Sequence, residues 1–115
     1  MGETKDALKE IIPILNSNPR SVDLMGAFTR VIRFDLDGEK GKFFMTIRKG
    51  RMALPKTVSK KVDIVVSGDT KEFARVVRGE IDVTHPIARG QLTITKGKVS
   101  EMTLLNRILW AIKGR

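Results

Sequence analysis

The sequence predicts an α+β fold, an antiparallel-rich sheet with helices packed over one face. Three observations point there. Two neighbouring segments, Arg30 to Asp37 and Phe43 to Arg48, alternate in hydropathy with period two across the turn-forming stretch Asp37-Gly38-Glu39-Lys40-Gly41. The stretch from Val62 to Gly97 reads as strand, capped helix, turn, short helix and strand, with a glycine at each joint. Both ends of the chain carry apolar residues at helical spacing. At 115 residues the chain is a single domain, residues 1–115, long enough to bury roughly 65% of its unfolded surface.

Each element has a local cause. Residues 4–15 place Leu8, Ile11, Ile12 and Leu15 on one helical face, and Asn16-Ser17-Asn18-Pro19 ends that helix. A second short helix spans Ser21 to Thr29, with Val22, Met25 and Phe28 inward. In the first strand Ile32, Phe34 and Leu36 alternate with Val31, Arg33 and Asp35. In the second, Phe43, Met45 and Ile47 alternate with Phe44, Thr46 and Arg48. Lys49-Gly50 is a tight turn into a third strand, Arg51 to Leu54, which Pro55 ends. A basic linker, Lys56 to Lys61, leads to the β-branched strand Val62 to Val66, ended by Ser67-Gly68-Asp69. Asp69 caps a helix starting at Thr70, with Glu72 at the capping-box position. Gly79 closes that helix, Asp82 opens the next, and Gly90 releases the strand Leu92 to Thr95. A last helix runs from Ser100 to Lys113. Its Met102, Leu104, Leu105, Ile108, Leu109, Trp110 and Ile112 cover more than the apolar arc of roughly 100° that a surface helix needs. That helix therefore has two apolar tasks. Packing on the sheet while lining a cavity fits the pattern, and oligomerisation or deep cover fits it equally.

Composition narrows the function classes. The chain has no cysteine, which excludes disulfides and thiol catalysis and suits a reducing, cytoplasmic home. The first sixteen residues are too acidic and too interrupted by Pro13 for a signal peptide, and no apolar run approaches the ~20 residues of a membrane span. The formal net charge of +9 attracts phosphate, on nucleic acid or on anionic lipid. Neither a phosphate loop nor a dinucleotide fingerprint is present. His85 is the single histidine and reads as a helix-start residue before Pro86 rather than a metal ligand. Asp35 and Asp37 share a strand face, but Asp37-Gly38 begins a turn and Asp35 lies beside basic strands. No acid–base pair can be placed. The expectation is no catalysis, no metal and no cofactor.

The order and spacing of Asp63-Ile64-Val65-Val66-Ser67-Gly68-Asp69, the Phe73 helix ending in Gly79-Glu80-Ile81-Asp82, and Gly90-Gln91-Leu92-Thr93-Ile94 resemble the sterol carrier protein type-two family of non-specific lipid transfer domains. The resemblance runs from the Phe34-Asp35-Leu36 strand through the last helix. It implies a five-stranded, largely antiparallel sheet with an apolar cavity between the sheet and the C-terminal helix. It also implies binding of fatty acyl chains, acyl thioesters, sterols or related lipids without covalent chemistry. Three departures stand out: Val83 rather than proline follows Asp82, Lys96 delays the glycine after the last strand, and Ile87 or Ala88 replaces an aromatic in the short helix.

The residues expected to face the helices from the sheet are Phe43, Met45, Ile47, Leu92 and Ile94; whether they form plain core or tunnel wall is open on spacing alone. The resemblance makes them pocket residues, together with Met102, Leu105, Ile108, Leu109 and Trp110 of the last helix. Thr46, Thr103 and Asn106 are the candidates for orienting a polar head, and the last helix is the candidate gate. Arg48, Lys49 and Arg51 at the hairpin, with Lys56, Lys60 and Lys61 of the linker, are the candidates for contact with an anionic surface. An ordinary solvated basic surface is the plainest reading of these six, peripheral docking on an anionic membrane the next, and nucleic acid the third. The absence of tyrosine and the apolar settings of Phe43, Phe44 and Trp110 argue against base stacking. The leading function is reversible binding or transfer of an apolar lipid. A basic interaction module on the same fold without a cavity is the alternative, and an enzyme acting on an acyl thioester ranks last.

Overall fold

A computed structural model describes residues 2–58 and 60–112. Its elements follow the order α1 (Glu3–Ser17), α2 (Pro19–Gly26), β1 (Arg30–Asp37), β2 (Phe43–Arg48), β3 (Arg51–Ala53), β4 (Ile64–Asp69), α3 (Thr70–Val77), α4 (Thr84–Ala88), β5 (Leu92–Lys96) and α5 (Val99–Trp110). The five strands form one sheet in the order β3-β2-β1-β4-β5. Every neighbouring pair is antiparallel except β1 and β4, which run parallel.

Register puts the apolar set on one face. Ile32 lies opposite Met45 and Ile64, and Phe34 opposite Phe43 and Val66. These side chains join Leu8, Leu15 and Met25 from α1 and α2, Phe73, Val76 and Val77 from α3, and Met102, Leu105, Ile108 and Leu109 from α5 in one core. Phe34 stacks on Phe43 with ring centroids 4.9 Å apart and meets Phe73 at 5.1 Å. The opposite face carries half-buried Arg33, Asp35, Phe44, Thr46 and Ser67. Arg33 and Asp35 pair there at 3.0 Å, which raises the guanidinium pKa further.

Several boundaries move for identifiable reasons. The second helix starts at Pro19 and ends at Gly26, because the Asn18 side chain accepts from the Arg20 and Ser21 amides and proline suits the first helical position. Phe28, expected inside that helix, is buried just beyond it. The fourth strand begins at Ile64 and does not stop at Ser67; it continues through Gly68 to Asp69. Gly68 has φ +136°, and a Cβ there would sit 2.2 Å from the Gln91 carbonyl oxygen. Its bare backbone is what lets β5 close against β4.

Asp69 caps α3 as expected, accepting from the Lys71 amide, whereas Glu72 turns to Arg75 at 3.5 Å. The Asp82 carboxylate accepts from both the amide and the hydroxyl of Thr84, so α4 starts there. Those bonds hold the Asp82 carboxyl below its ordinary pKa. The last helix starts one residue early, at Val99, and ends at Trp110; its expected end, Lys113, lies outside the described residues.

Candidate functional site

Eight of the ten expected pocket residues are core side chains. Phe43, Met45, Ile47, Leu92, Met102, Leu105, Ile108 and Leu109 are buried together, and Ile94 and Trp110 pack against them half-buried. Two of the three expected head-group residues are placed elsewhere. Thr46 sits between Met45 and Ile47 in β2, so strand alternation sends it to the helix-free face, in a cleft with Val31, Arg48 and Lys60. Thr103 is exposed and its hydroxyl turns back to the Val99 carbonyl at 3.4 Å. Asn106 is buried within the fold, but its Oδ1 is engaged by the Val83 amide at 3.0 Å and its amide nitrogen reaches Asp82 at 3.4 Å. It ties α5 to the start of α4.

Open space lies between α2 and α5. A cleft of about 320 Å³ is lined by Asp23, Leu24, Ala27, Phe28, Leu104, Arg107 and Ile108. Phe28 and Ile108 are its buried inner residues and belong to the core cluster. Leu104 is 42% exposed on the lining of this cleft, whereas Met102, Leu105 and Leu109 of the same helix are buried. Asp23 and Arg107 are exposed on its lining.

The wall behind Phe28 is held by charge. The Arg30 guanidinium carbon lies 4.8 Å from the Phe28 ring centroid, and its Nε donates to Glu101 Oε2 at 2.7 Å. The other Glu101 oxygen accepts from the Lys98 amide. The hydrogen bond from Arg30 is the main reason the Glu101 carboxyl lies below its ordinary pKa, and it fastens the first turn of α5 to the start of β1.

Spacing along α5 contains part of this site. Leu104 and Ile108 are four apart and share a ridge, separate from the one formed by Met102, Leu105 and Leu109. On the opposing wall Leu24 of α2 and Phe28, just beyond that helix, are also four apart, but α2 ends at Gly26 before the pair is complete.

The six expected surface cations are all exposed, but they do not form one cluster. Arg48, Lys49 and Arg51 surround the β2–β3 turn, where Lys49 and Gly50 both adopt positive φ, as a two-residue hairpin turn requires. That turn abuts α2: a Cβ on Gly50 would lie 3.2 Å from Val22 Cγ1. Lys60 lies with Arg48 on the helix-free face. Lys56 lies with Lys5 and Lys42 in another cleft. Lys61 takes part in neither cleft. Among the described residues no group of three or more His, Cys, Asp and Glu is arranged to hold a metal ion, and His85 is exposed on α4. No helix among the described residues is long and apolar enough to cross a membrane.

A family model described as the SCP-2 sterol transfer family matches residues 8–109. The chain belongs to the SCP-2 sterol transfer family. Solved structures agree in fold. Sterol carrier protein 2 from Yarrowia lipolytica, in its apo form, is 16% identical over 96% of this chain and 89% of that one, with a TM-score of 0.67. The UbiJ-SCP2 ubiquinone synthesis protein is 13% identical over 92% and 87%, with a TM-score of 0.71. Palmitated SCP2L2 from Aedes aegypti is 11% identical over 95% and 93%, with a TM-score of 0.63. At these identities the likeness is one of fold. No curated protein sequence matches the chain. Membership of the SCP-2 family and the shared fold support lipid binding or transfer in general.

Proposed function

We propose that this SCP-2 domain binds an apolar lipid chain reversibly and without covalent chemistry, admitting it at the cleft between α2 and α5. The observation that carries the reading is the exposed Leu104 above a cleft whose inner residues, Phe28 and Ile108, belong to the core. An acyl chain entering there lies first on Leu24 and Leu104, then on Ile108, and deeper still on the ten pocket residues. Affinity comes from apolar area removed from water, at ~25 cal/mol per Å². The palmitated relative is a precedent for an acyl chain in this fold. Met25, Met45 and Met102 belong to the core that such a chain would enter, and methionine repacks around an added chain at small cost.

Delivery takes place at an anionic bilayer. Arg48, Lys49 and Arg51 sit on a turn that touches α2, the same helix that walls the cleft. A domain resting on head groups by that turn brings the cleft close to the membrane. Lys56, Lys60 and Lys61 add longer-range attraction. The site of action is the cytoplasm.

The test is extraction of natively purified protein with organic solvent, followed by mass spectrometry. A stoichiometric fatty acid, acyl thioester or sterol-like molecule supports the reading and names the ligand. A clean extract, together with no thermal shift from any of those three classes, overturns it.

A further inference from the structure

Four lysines from three separate segments of the chain meet around one edge of the core. Lys5 comes from α1, Lys40 and Lys42 from the β1–β2 turn, and Lys56 from the segment after β3. They line two clefts that share Lys5, Lys42 and Phe43. One, of about 220 Å³, adds Lys40; the other, of about 160 Å³, adds Lys56. Lys5 Nζ lies 5.9 Å from the Phe43 ring centroid, so the aromatic face helps to hold that ammonium over the junction.

The ion pairs among the described residues are Arg30–Glu101, Arg33–Asp35, Arg75–Glu72 and Arg75–Glu80, and none involves these lysines. Among the described residues, Glu39 is the one carboxylate lining either cleft. One of its oxygens is already engaged, by the Thr4 amide at 3.0 Å and the Thr70 hydroxyl at 2.5 Å. Four lysines lining adjoining clefts with so little local neutralisation concentrate positive charge there, which attracts an anion.

We propose that the paired clefts at Lys5, Lys40, Lys42 and Lys56 bind a ligand carrying two phosphate groups, one in each cleft, with Lys5 and Lys42 bridging them. The two-cleft arrangement is what favours a diphosphate over a single anion. Lysine is a point charge that binds phosphate without demanding a fixed plane, which suits a site assembled from a helix and two loops. The site is distinct from the α2–α5 cleft and does not depend on it. The same chemistry occurs in a free diphosphate compound and in a bisphosphorylated lipid head group.

The test titrates the full chain with inorganic pyrophosphate, followed by amide chemical shifts and calorimetry at low salt. The expected result is binding that moves the Lys40 to Phe43 amides and weakens about tenfold or more in Lys42→Gln and in Lys5→Gln, the loss that follows removal of a charge-assisted hydrogen bond. Arg89→Gln, at a position that lines neither cleft, leaves that affinity unchanged. All three substitutions are at exposed positions, and thermal melts verify that the variants fold. No binding, equal affinity in all three variants, or shifts spread evenly over the basic surface overturns the proposal. A second arm identifies the source. Tighter binding to phosphatidylcholine vesicles carrying phosphatidylinositol bisphosphate than to charge-matched phosphatidylserine vesicles, lost in Lys42→Gln, supports a lipid head group. Equal binding to both vesicles, with the pyrophosphate response intact, supports a free diphosphate. Pyrophosphate carries no apolar chain, so its titration tests the lysine clefts without the α2–α5 reading, and the two proposals fail separately.

Discussion

Truncating Leu104 tests whether it is the proposed lipid contact or a packing residue. The side chain is 42% exposed, so a lipid chain in the α2–α5 cleft has that share left to cover. Full burial of a leucine stabilises by about 1.5–3 kcal/mol. The uncovered share is therefore worth roughly 0.6–1.3 kcal/mol, and Leu104→Ala should weaken binding roughly threefold to ninefold. Leu104→Asp places a carboxylate against the chain and should exceed that range. Neighbouring Leu105 is 1% exposed, and Leu105→Ala should instead lower stability by about 2–5 kcal/mol. Displacement of a fluorescent fatty acid measures the first effect, and thermal melting without lipid measures the second. The reasoning fails if Leu104→Ala and Leu104→Asp bind like the parent. It also fails if their binding falls only in proportion to their melting temperature, because Leu104 would then be an ordinary packing residue.

Three further outcomes follow from the same geometry. Replacing Arg48, Lys49 and Arg51 together by glutamine should weaken partition onto anionic vesicles about a hundredfold, at about 1 kcal/mol per cation, and unchanged co-sedimentation would remove the hairpin from the docking surface. The Glu101 carboxyl is lowered first by the Arg30 hydrogen bond and the Asp82 carboxyl first by the Thr84 amide, so each titrates at lower pH folded than unfolded. The stability they contribute is complete above the ordinary carboxylate range and is lost as pH falls through the depressed folded values. Glu101→Gln should therefore flatten the acid limb of a melting-temperature profile, and an unchanged slope would contradict the assignment. Gly68→Ala should destabilise by about 3 kcal/mol or more, read by urea unfolding, since φ +136° and the nearby Gln91 carbonyl leave no room for a methyl group.

The parts of this fold that were legible in the chain are those with one dominant local cause. β1 and β2 fall on Arg30–Asp37 and Phe43–Arg48 because a strand with one buried face must alternate, and a one-residue slip would invert every side chain. The end of β4 was not legible. Ser67-Gly68-Asp69 has turn chemistry, yet close approach of β5 recruits Gly68 into the ladder. The same division holds at the candidate site. Alternation and helical spacing gather the ten apolar residues into one cluster, but the α2–α5 cleft depends on how far apart two helices sit, which neither helix encodes alone. Thr46 was misassigned by chemistry, its hydroxyl suggesting a head-group contact while its parity in β2 sends it to the other face. The lysine clefts are a product of topology, assembled from positions that are 35 or more residues apart along the chain for Lys5 and Lys40.

How a chain enters is constrained by what α5 contributes to the core. Lifting the whole helix would expose Met102, Leu105, Ile108 and Leu109, four buried side chains worth roughly 6–12 kcal/mol together at the usual burial scale. That is comparable with the entire stability of a small domain, about 5–15 kcal/mol. A wholesale gate of that kind would be nearly an unfolding event. Spreading α5 from α2 at the cleft is different. Leu24 and Leu104 are already partly in water there. The Arg30–Glu101 pair that fastens the first turn of α5 is itself part-exposed, and pairs of that kind contribute no more than about 1 kcal/mol. On the proposed route, the methylenes of an entering lipid would replace the contacts that Phe28 and Ile108 give up, so apolar surface would be exchanged rather than exposed. On this account the wide apolar arc of α5 serves two functions on different ridges: Met102, Leu105 and Leu109 keep the domain folded, while Leu104, with Ile108 at the boundary, meets the ligand.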